Sequence, residues 1–174
     1  MLRMLKKVFL SIFVVVLVGV VWFGYGALNL KKNSVYYAQH TPHSEGVEPV
    51  LMEVVRNLRW IYNPDIKGIK YDYDGYRNIY NKKYGKSEAA SLAYYFREEY
   101  LYDDGNFLLY TFDKRFRLIS VWNVKTLEFT SKPVDVSAVK RDIFRVVQPV
   151  VDAQSEPLFN LQWVYDWVNE DRFN

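Results

Sequence analysis

The chain has 174 residues, 23 Lys and Arg against 20 Asp and Glu, a formal net charge of +3, no cysteine and 18% aromatic residues. With Arg3, Lys6, Lys7, Lys31 and Lys32 set aside, 18 basic residues stand against 20 acidic ones, so most of the chain lacks the concentrated cationic surface that nucleic-acid binding needs. The missing cysteines exclude disulfides, a cysteine nucleophile and lipoprotein acylation, and neither G-x-G-x-x-G nor a Lys-containing phosphate loop is present for nucleotide binding.

The first predicted element is Val8 to Leu30, which carries no charged side chain. At about 1.5 Å per residue it reaches roughly 34 Å as a helix, enough for a hydrocarbon core of about 30 Å. Val8, Phe9, Leu10, Leu17, Trp22 and Phe23 are expected to lie in the bilayer as a single-pass anchor, with Trp22, Phe23 and Tyr25 near the outer headgroups. Basic residues ahead of the run place residues 1–7 in the cytoplasm of a bacterial inner membrane and the rest in the periplasm or outside. A cleaved signal peptide begins in the same way, with Gly24 and Gly26 before a cut at Ala27. The run is longer than the usual apolar segment and has no Ala-x-Ala site, which favours an uncleaved anchor.

Residues 31–46 are polar and aperiodic and read as a linker. Its His40 and His43 are the only histidines, with no further His or Cys to complete a metal shell, so they are read as solvated. Residues 47–174 are expected to form one α+β domain in which helices pack on a three-stranded antiparallel meander. A helix opens at Glu48-Pro49 and runs to about Tyr62. A short helix is predicted over Tyr76–Tyr84 with Gly85 as its cap, and another from Ser87 to Tyr102 with Leu92, Ala93, Phe96 and Tyr100 inward. The period then changes to that of strands over Phe107–Phe112, Phe116–Val124 and Leu127–Val134. A helix capped by Ser137 follows, broken or kinked at Pro149, and a last helix opens at Glu156-Pro157 with Trp163 and Trp167 one turn apart. No internal repeat is visible.

Catalytic chemistry finds little support. Both histidines lie in the predicted linker, and the acidic pairs Glu98-Glu99 and Asp103-Asp104 read as solvated surface, leaving a cell-wall glycan-binding or hydrolysing role as a distant alternative. Asp72-x-Asp74-Gly75 opens like a calcium loop, but Arg77, Asn81 and Lys82 occupy the downstream ligand positions. No cofactor or metal is expected. Tyr71, Asp72, Tyr73, Asp74, Tyr76 and Tyr80 form the best candidate for a partner-binding surface, because tyrosines offer flat, rigid area with a polar tip. The expected function is that of a membrane-anchored protein-binding domain, in its most specific form an immunity protein neutralising a secreted bacterial toxin. An accessory subunit of an envelope secretion or assembly complex is the alternative.

Overall fold

The computed structural model describes residues 2–74, 76–85, 87–95 and 99–174. Its architecture is α+β. Helix α1 (Leu2–Lys32) contains Phe9–Lys32, a stretch long and apolar enough to cross a membrane, exposed over most of its length and packed on the rest of the chain only near its end, where Asn29 is buried and Leu30 meets the core. Phe9, Leu10, Leu17, Trp22 and Phe23 all project from it as exposed side chains, and Val8 lies within the same helix.

The predicted linker is the first correction. Residues Ser34–His40 form helix α2, separated from α1 by Asn33 alone. The helical ladder bridges the junction, since Asn33 N–H donates to Asn29 O at 2.9 Å and Tyr37 N–H to Asn33 O at 3.0 Å. Val35, Tyr37 and Ala38 of α2 are buried in the core. Polar neighbours masked this short apolar face in the sequence. The consequence is mechanical: the apolar helix runs directly into the packed interior with no flexible segment between.

Helix α3 (Pro49–Arg56) starts where expected, with Pro49 in the first turn where its missing N–H costs nothing. Helix α4 (Val136–Asp152) is capped by Asp135, not Ser137; the Asp135 carboxylate accepts from Ala138 N–H at 2.9 Å. Pro149 does not end α4, which continues through it. Asn81 supports the helix there by donating from Nδ2 to Val146 O at 2.9 Å, close to the carbonyl that proline leaves without a donor. Helix α5 (Gln162–Phe173) opens after Leu161 and not at Glu156-Pro157.

The second correction concerns the sheet. Among the described residues seven strands, not three, form one antiparallel sheet in simple chain order. They are β1 (Ile69–Asp72), β2 (Arg77–Asn81), β3 (Ala90–Tyr94), β4 (Tyr100–Asp103), β5 (Leu108–Phe112), β6 (Leu118–Asn123) and β7 (Glu128–Phe129). The predicted short helix at 76–84 is β2, and the predicted helix at 87–102 is β3 and β4, with Phe96, Arg97 and Glu98 outside the described residues. Burial alternates along β2 and β4, and β3 is covered at four of its five positions, a placement that a helical reading of the same apolar residues does not distinguish. Of the predicted third strand at 127–134, only Glu128 and Phe129 join the ladder.

A short turn device recurs along the meander. At the ends of β1, β2, β4, β5 and β6 an Asx side chain accepts from the N–H two residues on. The pairs are Asp72 with Asp74, Asn81 with Lys83, Asp103 with Gly105, Asp113 with Arg115 and Asn123 with Lys125, at 2.8 to 3.1 Å. After three of them a bulky residue takes a left-handed conformation: Phe107 (φ 74°), Phe116 (φ 60°) and Leu127 (φ 57°). At Asp113 the carboxylate is held below the usual carboxylate range. Burial alone would raise it, but hydrogen bonds from the Arg117 side chain and from the Arg117 and Arg115 N–H groups outweigh that. Gly85 is not a helix cap either. A Cβ there would meet Glu88 O at 1.5 Å, so this position needs glycine for close backbone approach.

Helices α3 and α4 pack on β2 and β3, α2 packs on α3, and α5 on α2. The core lies between sheet and helices, built from Tyr37, Leu51, Met52, Ile79, Leu92, Tyr100, Phe112, Phe116 and Ile143 among others. An ion pair joins α5 to α3, with the partly exposed Arg172 donating to the buried Glu53 carboxylate. Asn57 Nδ2 donates to the other Glu53 oxygen at 2.6 Å.

Candidate partner-binding face

Register decides which side chains share a face of the sheet, because paired residues point the same way and neighbours along a strand point oppositely. Ile79, Leu92, Tyr102, Tyr110 and Val121 pair in one row across five strands and belong to the core under the helices. One residue over, Tyr80, Ser91, Asp103, Leu109, Trp122 and Phe129 pair in a row on the opposite face. Asn78, Ala93, Leu101 and Thr111 form the row beside it. Tyr80, Leu101, Leu109 and Trp122 stand outside the core cluster and are half-buried, while Phe129 is exposed.

Two aromatic pairs mark the face. The Tyr76 ring stacks on Tyr95 with centroids 4.4 Å apart and planes within 9°, and the two hydroxyls are 3.1 Å apart. That hydrogen bond, together with the nearby Tyr76 and Glu99 groups and some burial, raises the Tyr95 pKa. Trp122 meets Phe129 edge to face at 4.9 Å. Such pairs contribute about 0.5 to 1.5 kcal/mol beyond their area and hold flat, rigid surface ready for contact.

The six predicted site residues divide. Tyr76 and Tyr80 lie on this open side, and Asp72 pairs with Asn78 in the second row. Tyr73 and Asp74 are exposed in the β1–β2 connection, where the Arg59 guanidinium donates to Tyr73 O. Tyr71 is turned the other way: it pairs with Ile79, packs against the core and donates to Pro64 O at 2.8 Å. Burial, aided by neighbouring Tyr73 and Asp65, pushes its pKa up to about 12. Leu101, Leu109, Trp122 and Phe129 were not singled out from sequence. The signal was the outward set of the strand alternation, which is set aside when only the core is sought.

Other sequence candidates have structural partners. Asp103 Oδ1 accepts from Gly105 N–H, and Asp104 Oδ1 accepts from Asn106 and Leu108 N–H, so both build the β4–β5 turn. Glu98 and Gly75 lie outside the described residues. His40 Nδ1 lies 2.8 Å from Tyr36 O, and His43 Nδ1 lies 3.1 Å from Thr41 O. Among the described residues no group of three or more His, Cys, Asp or Glu is placed to hold a metal. Compared with protein-family models, curated proteins and solved structures, the chain finds no match.

Proposed function

We infer that the chain is a membrane-anchored binding protein whose open sheet face takes a folded protein partner. The observation that carries this reading is the one-sided sheet, with helices on one face and Tyr76, Tyr80, Leu101, Leu109, Trp122 and Phe129 on the other. Aromatic residues on a rigid scaffold suit protein contacts, because little side-chain entropy is lost when they are covered. Helix α1 supports the anchor, and its direct continuation into buried α2 supports an uncleaved one. Basic residues before the apolar run put the N-terminus in the cytoplasm and the domain outside it. The specific form of this reading is an immunity protein that occupies a toxin in the bacterial envelope.

The test is site-specific photo-crosslinking in cells that also produce the protein encoded by the adjacent reading frame. A benzophenone amino acid at Tyr80 or Trp122 is expected to give a defined adduct with that protein, and one at the exposed Arg141 of α4 is not. Trp122→Asp should weaken the purified complex by about 30-fold or more, the loss typical of an aromatic anchor. Adducts from Arg141 alone would move the interface to the helical side.

A further inference from the structure

Between α4 and α5 the chain passes through a loop that is fastened to the end of α1. Asn29 Nδ2 donates to Phe159 O at 3.3 Å, and the fully buried Tyr37 hydroxyl donates to Asn29 Oδ1 at 2.6 Å while accepting from Leu161 N–H at 3.1 Å. Gly26 faces the Leu161 side chain, and Tyr25 meets the Phe159 ring at 6.0 Å. These contacts fix the height of the loop on the helix. Tyr25 lies seven residues before Lys32, the end of the apolar stretch, which is about 10 Å along the axis. A hydrocarbon core of about 30 Å takes roughly 20 residues, so a span that begins near Phe9 leaves it near Leu28. The loop therefore sits where hydrocarbon gives way to headgroups.

Its side chains suit that position. Leu158 is 95% exposed and Phe159 beside it also projects, two adjacent apolar groups at the tip of the loop. A groove of about 400 Å³ runs between loop and helix, lined by Tyr25, Leu28, Trp60 and Leu158 and by the opposite charges of Lys32 and Glu156. Lys31 lies 5.2 Å over the Trp60 ring and Lys32 stands beside it in sequence, cations at the level of lipid phosphates. Trp163, exposed in the first turn of α5, adds an interfacial aromatic.

We propose that the Leu158–Phe159 loop is a second membrane contact, entering the interfacial layer of the same bilayer that α1 crosses. The occupant of this apolar patch is lipid, because the patch is continuous with the exposed surface of α1. Seated at two points, the domain has a set tilt, and its open sheet face has a set direction. The proposal rests on the anchor reading of α1.

Both can be tested in one experiment with the full-length chain, whose lack of cysteine allows clean single-site labelling. Val16→Cys in mid-helix, Leu158→Cys in the loop and Lys132→Cys in an exposed distal segment are each labelled with an environment-sensitive fluorophore. The labelled chains are placed in phosphatidylglycerol-containing vesicles with quenchers at the headgroup or deep in the acyl chains. Leu158 is expected to lose most of its fluorescence to the shallow quencher, Val16 to the deep one and Lys132 to neither. Quenching at Val16 without quenching at Leu158 would overturn the second contact and leave the anchor standing. No quenching at Val16 would overturn the anchor and the loop proposal with it. Shielding of Leu158 that persists in detergent and grows with protein concentration would give the patch to a second copy, also overturning the proposal.

Discussion

Replacing Glu53 by Ala is expected to destabilise the domain by about 3 to 5 kcal/mol, the cost of removing the buried member of an ion pair. Glu53 is only 2% exposed and holds Arg172 on one oxygen and Asn57 on the other, so a single carboxylate joins α3 to α5. Its loss leaves the Arg172 guanidinium, 21% exposed and 4.4 Å from the Phe173 ring centroid, without its carboxylate partner. Tyr165 and Tyr100 sit in the same region. Burial first, and the Glu53 charge among the further causes, raise both hydroxyl pKa values, so both remain protonated at neutral pH. Urea unfolding of the full chain in mild detergent, followed by near-UV circular dichroism, reads the change. The double replacement Glu53→Met with Arg172→Leu should recover most of the loss, because a well-packed apolar pair needs no desolvation of charge. A single Glu53→Ala variant within about 1 kcal/mol of the parent would show that the pair carries no such weight.

Phe116→Ala is expected to cost a comparable amount, about 3 to 5 kcal/mol. Phe116 occupies the left-handed position of the β5–β6 connection, which glycine usually takes, and its N–H donates to Asp113 O at 2.9 Å. The ring is fully buried, stacked on Phe112 at 4.7 Å and tilted against Tyr100 at 5.1 Å. Packing thus outweighs backbone strain of roughly 1 to 2 kcal/mol, as expected for a non-glycine residue there. Phe116→Gly tests this division: it relieves the strain but empties the same space, so its loss should be smaller than its reduced volume alone implies. The same unfolding measurement applies, and a Phe116→Gly variant far less stable than Phe116→Ala would contradict the account of strain.

Much of the α framework was legible in the sequence, because α3 and α4 each carry an apolar stripe of helical period and a proline or Asx at the start. The N-terminal half of the sheet was not. In Tyr76–Tyr84 and Ser87–Tyr102 the apolar residues fall at spacings that serve either period, and only their pairing with distant strands decides the outcome. The overlooked signal was the Asx residue at the strand ends that opens the connections, at Asp72, Asn81, Asp103, Asp113 and Asn123. Tyr76 and Tyr80 were found as candidates from composition alone, whereas Tyr71 looks identical in sequence and is turned against the core by one step of register. Residues 157–160 read as the start of the last helix because Pro157 suits a first turn, whereas the loop they form is held by Asn29, 130 residues away.

The apolar helix continues into the packed domain through Asn33 alone, so that the proposed membrane anchor and the proposed binding face keep one geometry. The junction at Asn33, the buried residues of α2 and the Tyr37 hydroxyl all bear on it. The most direct measurement is the spin-label distance distribution between Val21→Cys in α1 and Arg141→Cys in α4, recorded by pulsed electron paramagnetic resonance on the full chain in lipid nanodiscs. A single narrow distribution is predicted. A broad distribution, as a flexible linker at residues 31–46 would produce, would contradict the account.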